Sequence, residues 1–166
     1  MTLPLHSFTN TSTTSLLLIT NGASTLSRIL VGFLADDYIG PMNTYILSVA
    51  TLAISFFTWI AVTSATGMYV WAAGFGVTSG AAQGAFVGAL ASLTDDPQKL
   101  GTRLGMVCGL LAFATLSGPP TAGAILGASE GWYGWAQLWA GVVEVLATIV
   151  LGAARWWLGV GLWIMV

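Results

Sequence analysis

The chain has 166 residues, of which 56% are hydrophobic and only 6% charged, with a formal net charge of −2. A soluble domain carries about a quarter of its residues as charge, so this chain cannot cover a water-facing surface, and lipid must be its main solvent. There is no basic patch for nucleic acid, and one cysteine (Cys108) and one histidine (His6) exclude an intrachain disulfide and a zinc spacing. Any triad or His-based metal site would have to use His6, so neither an enzyme nor a cofactor is expected.

Met1 to Thr14 contains no Lys or Arg, and the apolar run after it is longer than the core of a secretory signal, so the start is not read as one. A membrane helix needs about 20 mostly apolar residues. The first such stretch is 14–35. Within it, Arg28 is expensive in lipid and is expected to face a bundle interior or a watery cavity. It either binds a substrate anion through its guanidinium fork or pairs with Asp36 near the membrane surface. Asn21, two turns before Arg28, shares roughly its side of the helix. The break Asp36-Asp37-Tyr38-Ile39-Gly40-Pro41 has turn chemistry.

The second stretch is 44–62, and Ser64 to Gly67 separates it from the third, 68–90. Gly76, Gly80, Gly84 and Gly88 recur there every four residues. They form one face that lets another helix approach closely, either as static packing or as a sliding surface. Gln83 borders that face as a second polar candidate. After Asp95-Asp96-Pro97 comes the fourth stretch, 104–126, into which Gly101, Gly105 and Gly109 repeat the glycine spacing. It contains Gly118-Pro119-Pro120. Proline removes a helix hydrogen bond, so this is a kink, as in the discontinuous helices of transporter sites, or merely a static bend. Glu130-Gly131 precedes the fifth stretch, 135–154, with Glu144 at its centre. Trp132, Trp135, Trp156 and Trp157 flank it in the manner of interfacial anchors. The apolar tail 156–166 is too short to span alone and either prolongs the fifth stretch or lies in the interface.

Five spans place Arg28, Lys99, Arg103 and Arg155 toward one side, and the positive-inside rule makes that side cytoplasmic. The expected fold is thus an all-α, multi-pass membrane protein of about five transmembrane helices, with the lipid bilayer as its first partner and its C-terminus in the cytoplasm.

Asn21-Gly22-Ala23-Ser24 followed by Ser27-Arg28, then Gly32-Phe33-Leu34-Ala35-Asp36 and Ile39-Gly40-Pro41 with Asn43, resembles the fungal monocarboxylate-transporter-like branch of the major facilitator superfamily. In that branch the pattern closes the eighth helix and opens the following cytoplasmic loop, to which Gly32, Asp36, Gly40 and Pro41 would contribute. Gly101 to Met106 and Gly118-Pro119-Pro120 with Gly123 resemble its eleventh helix, and Gln137 with Gly141 its twelfth. The resemblance implies that the five spans are helices eight to twelve of a C-terminal half, in a plasma-membrane transporter of a small organic anion, monocarboxylate or secondary metabolite.

Arg28 then corresponds to the arginine that holds the substrate carboxylate, with Asn21 and Gln83 beside the solute path. Characterised carriers have an acid one turn earlier, where this chain has Ser24, so proton coupling through an Arg–Asp pair does not carry over. Glu144 falls on a peripheral helix. The resemblance also implies a truncated transporter that would work only with a missing N-terminal half. The alternative is a non-transporting remnant or helix-interaction protein whose glycine faces bind another membrane protein.

Overall fold

The computed structural model describes residues 10–94 and 96–157; His6 and residues 158–166 of the tail lie outside them. Five α-helices follow one another: α1 Asn10–Leu34, α2 Pro41–Ile60, α3 Ala65–Ser92, α4 Pro97–Ala128 and α5 Gly134–Trp157. The described residues contain no strand. At about 1.5 Å rise per residue, even the 20-residue α2 reaches the roughly 30 Å of a bilayer core.

The helix ends follow from local chemistry. α1 widens into a π-helical turn at Ala35–Ile39, closed by Gly40 N–H donating to the Ala35 carbonyl at 3.1 Å. Gly40 has φ 84°, a conformation that a side chain would oppose, and Pro41 starts α2 without forfeiting a needed donor. Ser64 caps α3 by accepting the Gly67 N–H at 3.0 Å. Asp96 caps α4 through Gln98 N–H, also at 3.0 Å, with Pro97 in the first turn. Glu130 and Gly131, both at positive φ, turn the chain into α5.

The interior is built from small side chains. Ala72, Ala81, Ala82, Ala85 and Ala89 are buried together with Ser24, Ser27, Thr44, Ser48 and Ser55, while Leu18, Leu30, Phe33, Leu110, Phe113 and Leu116 are exposed. No large side chain is fully buried among the described residues. A soluble core has the opposite pattern. Large apolar side chains outside and small ones between helices are what lipid solvation selects, because helices gain there by close packing rather than by leaving water.

α3 is the centre of the assembly. It lies between α1 and α2, and α5 covers another side of α2. The α2–α3 contact is aromatic: Trp71 of α3 stacks on Trp59 of α2 at 4.7 Å and its indole N–H donates to the Ser55 carbonyl at 2.9 Å, while Phe75 of α3 meets Phe56 of α2 edge-on at 5.5 Å. Against α2, Gly141 of α5 makes room for the ring of Phe57.

Four helices, α1, α2, α4 and α5, are apolar and long enough to cross a membrane. α3 has 28 residues and no charge; its glycines and hydroxyls lower its hydropathy, and its small-residue surface is the one covered by protein. The chain is therefore a multi-pass membrane protein. α4 differs from the rest, since it meets α3 and α5 only sparsely and buries none of its residues. It continues as α-helix through Pro119 and Pro120. Around them the hydroxyls of Thr115, Ser117 and Thr121 donate to the carbonyls of Leu111, Ala114 and Ser117.

Candidate functional site

The site is built on the seam between α1 and α3. Gly76, Gly80 and Gly84 lie against Thr20, Ser24 and Arg28. Both series advance by four, so the two helices run parallel and in register. A Cβ on Gly80 would stand 2.7 Å from the Ser24 Cα, so here backbone packs directly on backbone. Gly88 is looser and faces the Pro41 ring of α2, with a hypothetical Cβ 3.5 Å away. Two hydroxyls tie the seam: Ser27 Oγ donates to the Val77 carbonyl at 2.6 Å, and Thr20 Oγ1 to the Ala72 carbonyl at 3.3 Å.

At the exposed rim of this seam, the Arg28 guanidinium donates from Nη2 to Gln83 Oε1 at 2.6 Å. Two of the three polar residues singled out from sequence are thus brought together from different helices. The third is not: Asn21 is exposed, and its amide donates to the Leu17 carbonyl of its own helix at 2.8 Å. The alternative partner for Arg28 is also absent, since among the described residues no ion pair joins Arg28 to Asp36. The ion pair present is Lys99–Asp96 at 3.3 Å, on the exposed α3–α4 turn.

The pairing has chemical consequences. Gln83 is neutral, so it orients the guanidinium without cancelling its charge. A Gln amide also carries two N–H donors on its nitrogen, and these stand beside the guanidinium donors that Gln83 does not use. The result is a positively charged donor cluster suited to a planar oxyanion such as a carboxylate. Ser24, at the position where an acid would complete an ion pair, is buried, with its backbone against Gly80.

The remaining sequence candidates are scattered. Gly32 has open space around it, Asp36 is exposed in the π-helical turn, and Gly40 and Pro41 form the entry to α2. Gly118, Pro119 and Pro120 lie on α4, away from the Arg28–Gln83 pair, and a methyl added at Gly118 would meet nothing within 4 Å. Arg103 caps the end of α3 by donating to the Leu93 carbonyl at 2.7 Å. Arg155, counted from sequence among the basic residues that orient the spans, is buried at the end of α5, where a cation suits the helix dipole. Sequence reasoning missed the seam hydroxyls Thr20 and Ser27; the signal was the run of small residues Ala23-Ser24-Thr25 and Ser27 preceding Arg28.

No family model matches the chain, and no solved structure does. It is similar to curated fungal proteins. An MFS-type transporter of Gibberella zeae is 35% identical over 147 residues, covering 89% of this chain and 33% of the relative. An MFS-type transporter of Aspergillus fumigatus is 34% identical over 82% of this chain and 31% of its own length. The aspyridones efflux protein of Emericella nidulans is 36% identical over 67% of this chain and 23% of its own length. The chain therefore spans about a third, or less, of the length of these relatives.

Proposed function

We propose that this chain, a relative of the fungal MFS-type transporters over about a third of their length, contributes the solute-binding part of a C-terminal half, helices eight to twelve, of a transporter for a small organic anion. The observation that carries the reading is the Arg28–Gln83 pair at 2.6 Å, exposed at the α1–α3 seam and without a carboxylate partner among the described residues. Arg28 binds the carboxylate of a monocarboxylate or an acidic secondary metabolite, and Gln83 orients it. Asn21, on the same exposed side of α1, extends the solute path. An efflux protein for a secondary metabolite among the relatives supports export of that solute class.

The sparse packing of α4 and the open space at Gly101, Gly105 and Gly109 support a bundle that works with further helices, corresponding to the preceding part of its relatives. The clustering of Lys99, Arg103 and Arg155 supports a cytoplasmic C-terminus, and a solute exporter belongs in the plasma membrane. The second reading, a helix-interaction protein that moves no solute, rests on the same open glycine face.

The test is flux in proteoliposomes holding this chain together with the preceding portion of the Gibberella zeae relative. Carboxylate uptake above that of empty vesicles is expected, falling about tenfold or more in Arg28→Ala, the loss of a hydrogen bond to a charged group. Flux that is unchanged by Arg28→Ala removes the substrate role. No flux from the complemented protein selects the helix-interaction reading.

A further inference from the structure

We infer that Gly84 is a positioning residue for the Arg28–Gln83 pair. The inference rests on the reading of that pair as a carboxylate site and adds a residue that touches no solute. Of the seam glycines, Gly76 and Gly80 lie against Thr20, Ala23 and Ser24, which hold the two helices together. Gly84 alone lies against the residue that carries the guanidinium. A Cβ there would stand 3.1 Å from the Arg28 Cα, 3.2 Å from its carbonyl oxygen and 3.4 Å from its Cβ. The first two are backbone atoms, which cannot swing aside as a side-chain tip does.

Successive residues of an α-helix are turned by about 100°. With Gly84 facing the Arg28 backbone, Gln83 therefore stands at the rim of the seam. Ser27, bonded to the Val77 carbonyl at 2.6 Å, fixes the rotation of α1 so that its neighbour Arg28 emerges at the same rim. The guanidinium then reaches Gln83 while both side chains remain exposed. A side chain at position 84 pushes α1 outward at Arg28 itself. The guanidinium keeps its charge but loses the orientation that Gln83 imposes. Preorganisation of this kind is what an oriented donor cluster contributes to binding.

The experiment is site-resolved labelling of arginines by phenylglyoxal, read by peptide mass spectrometry on the full chain in lipid vesicles, with benzoate as the probe and benzamide as its neutral counterpart. In the wild type, benzoate slows labelling of Arg28 and benzamide does not. Gln83→Asn leaves the seam untouched and shortens the amide by one methylene, so it sets the Arg28 rate for a lost pair, roughly five-fold faster for one hydrogen bond. Gly84→Ala is expected to raise the Arg28 rate toward that value and to weaken benzoate protection, with Arg155 labelling unchanged. Gly88→Ala is expected to change neither rate, because its methyl meets only the Pro41 ring at an ordinary 3.5 Å.

Buried Arg155 reports folding. If Gly84→Ala also raises Arg155 labelling, Gly84 is a packing residue and the inference is overturned. It is equally overturned if Gly84→Ala leaves the Arg28 rate unchanged while Gln83→Asn raises it. If Gly84→Ala raises the rate but benzoate never protects the wild type, the positioning stands and the carboxylate reading fails.

Discussion

Gly80→Ala adds one methyl group at the tightest part of the α1–α3 seam. That methyl would lie 2.7 Å from the Ser24 Cα and 2.9 Å from its carbonyl carbon. Ordinary contact needs about 3.4–4 Å between carbon atoms, so α1 must retreat by about 1 Å. Overpacking of this size costs about 1–3 kcal/mol. The retreat also stretches the Ser27–Val77 and Thr20–Ala72 bonds, and interhelical hydrogen bonds in membrane proteins are worth roughly 0.6 kcal/mol each. Against this, alanine is a better helix former than glycine by about 1 kcal/mol. The net expectation is a loss of about 1–3 kcal/mol. A methyl added at Gly74 of the same helix would meet nothing within 4 Å, so Gly74→Ala collects the helix-propensity gain alone and is neutral or stabilising. Equilibrium unfolding of the two variants in mixed micelles, followed by circular dichroism and tryptophan fluorescence, compares them directly. Equal unfolding free energies within about 0.5 kcal/mol, the usual scale of an inconsequential substitution, would refute backbone-to-backbone packing of α1 on α3.

Trp71 joins α2 to α3 through its stack on Trp59 and its bond to the Ser55 carbonyl. Trp71→Ala should cost about 3 kcal/mol or more and abolish the near-ultraviolet dichroism of the Trp59–Trp71 stack; a surviving signal would disprove the stack. Gly141→Val should lift α5 from α2, because even a methyl there would meet the Phe57 ring at 2.9–3.2 Å. Adding Phe57→Ala should restore more than half of the lost stability, and additive losses in the double mutant would show that the two positions do not touch. Arg103→Ala removes the donor to the Leu93 carbonyl and should cost about 1 kcal/mol. Faster hydrogen exchange should be confined to the α3–α4 turn, with the α1–α3 seam unaffected.

The number of helices was legible in the residues. Composition required lipid as solvent, and Gly40-Pro41, Ser64, Asp96-Pro97 and Glu130-Gly131 mark helix boundaries by chemistry that acts within a few residues. The candidate site was only partly legible. Arg28, Asn21 and Gln83 are conspicuous because polar groups are costly in lipid, but a hydrogen bond depends on which helix lies alongside. Asn21 found a carbonyl four residues back in its own helix, whereas Arg28 found Gln83 across the seam.

The glycines show the same division. Gly76-Gly80-Gly84 and Gly101-Gly105-Gly109 have identical spacing, and spacing alone determines that each set lines one face. Tertiary structure decided that the first set receives the backbone of α1 while the second has open space around it. The physical reason is that a glycine face provides the absence of a side chain, which is local, while its stabilisation comes from a partner surface shaped to use it. Here that surface is the run of Thr20, Ala23, Ser24 and Ser27 on α1, far away in the chain.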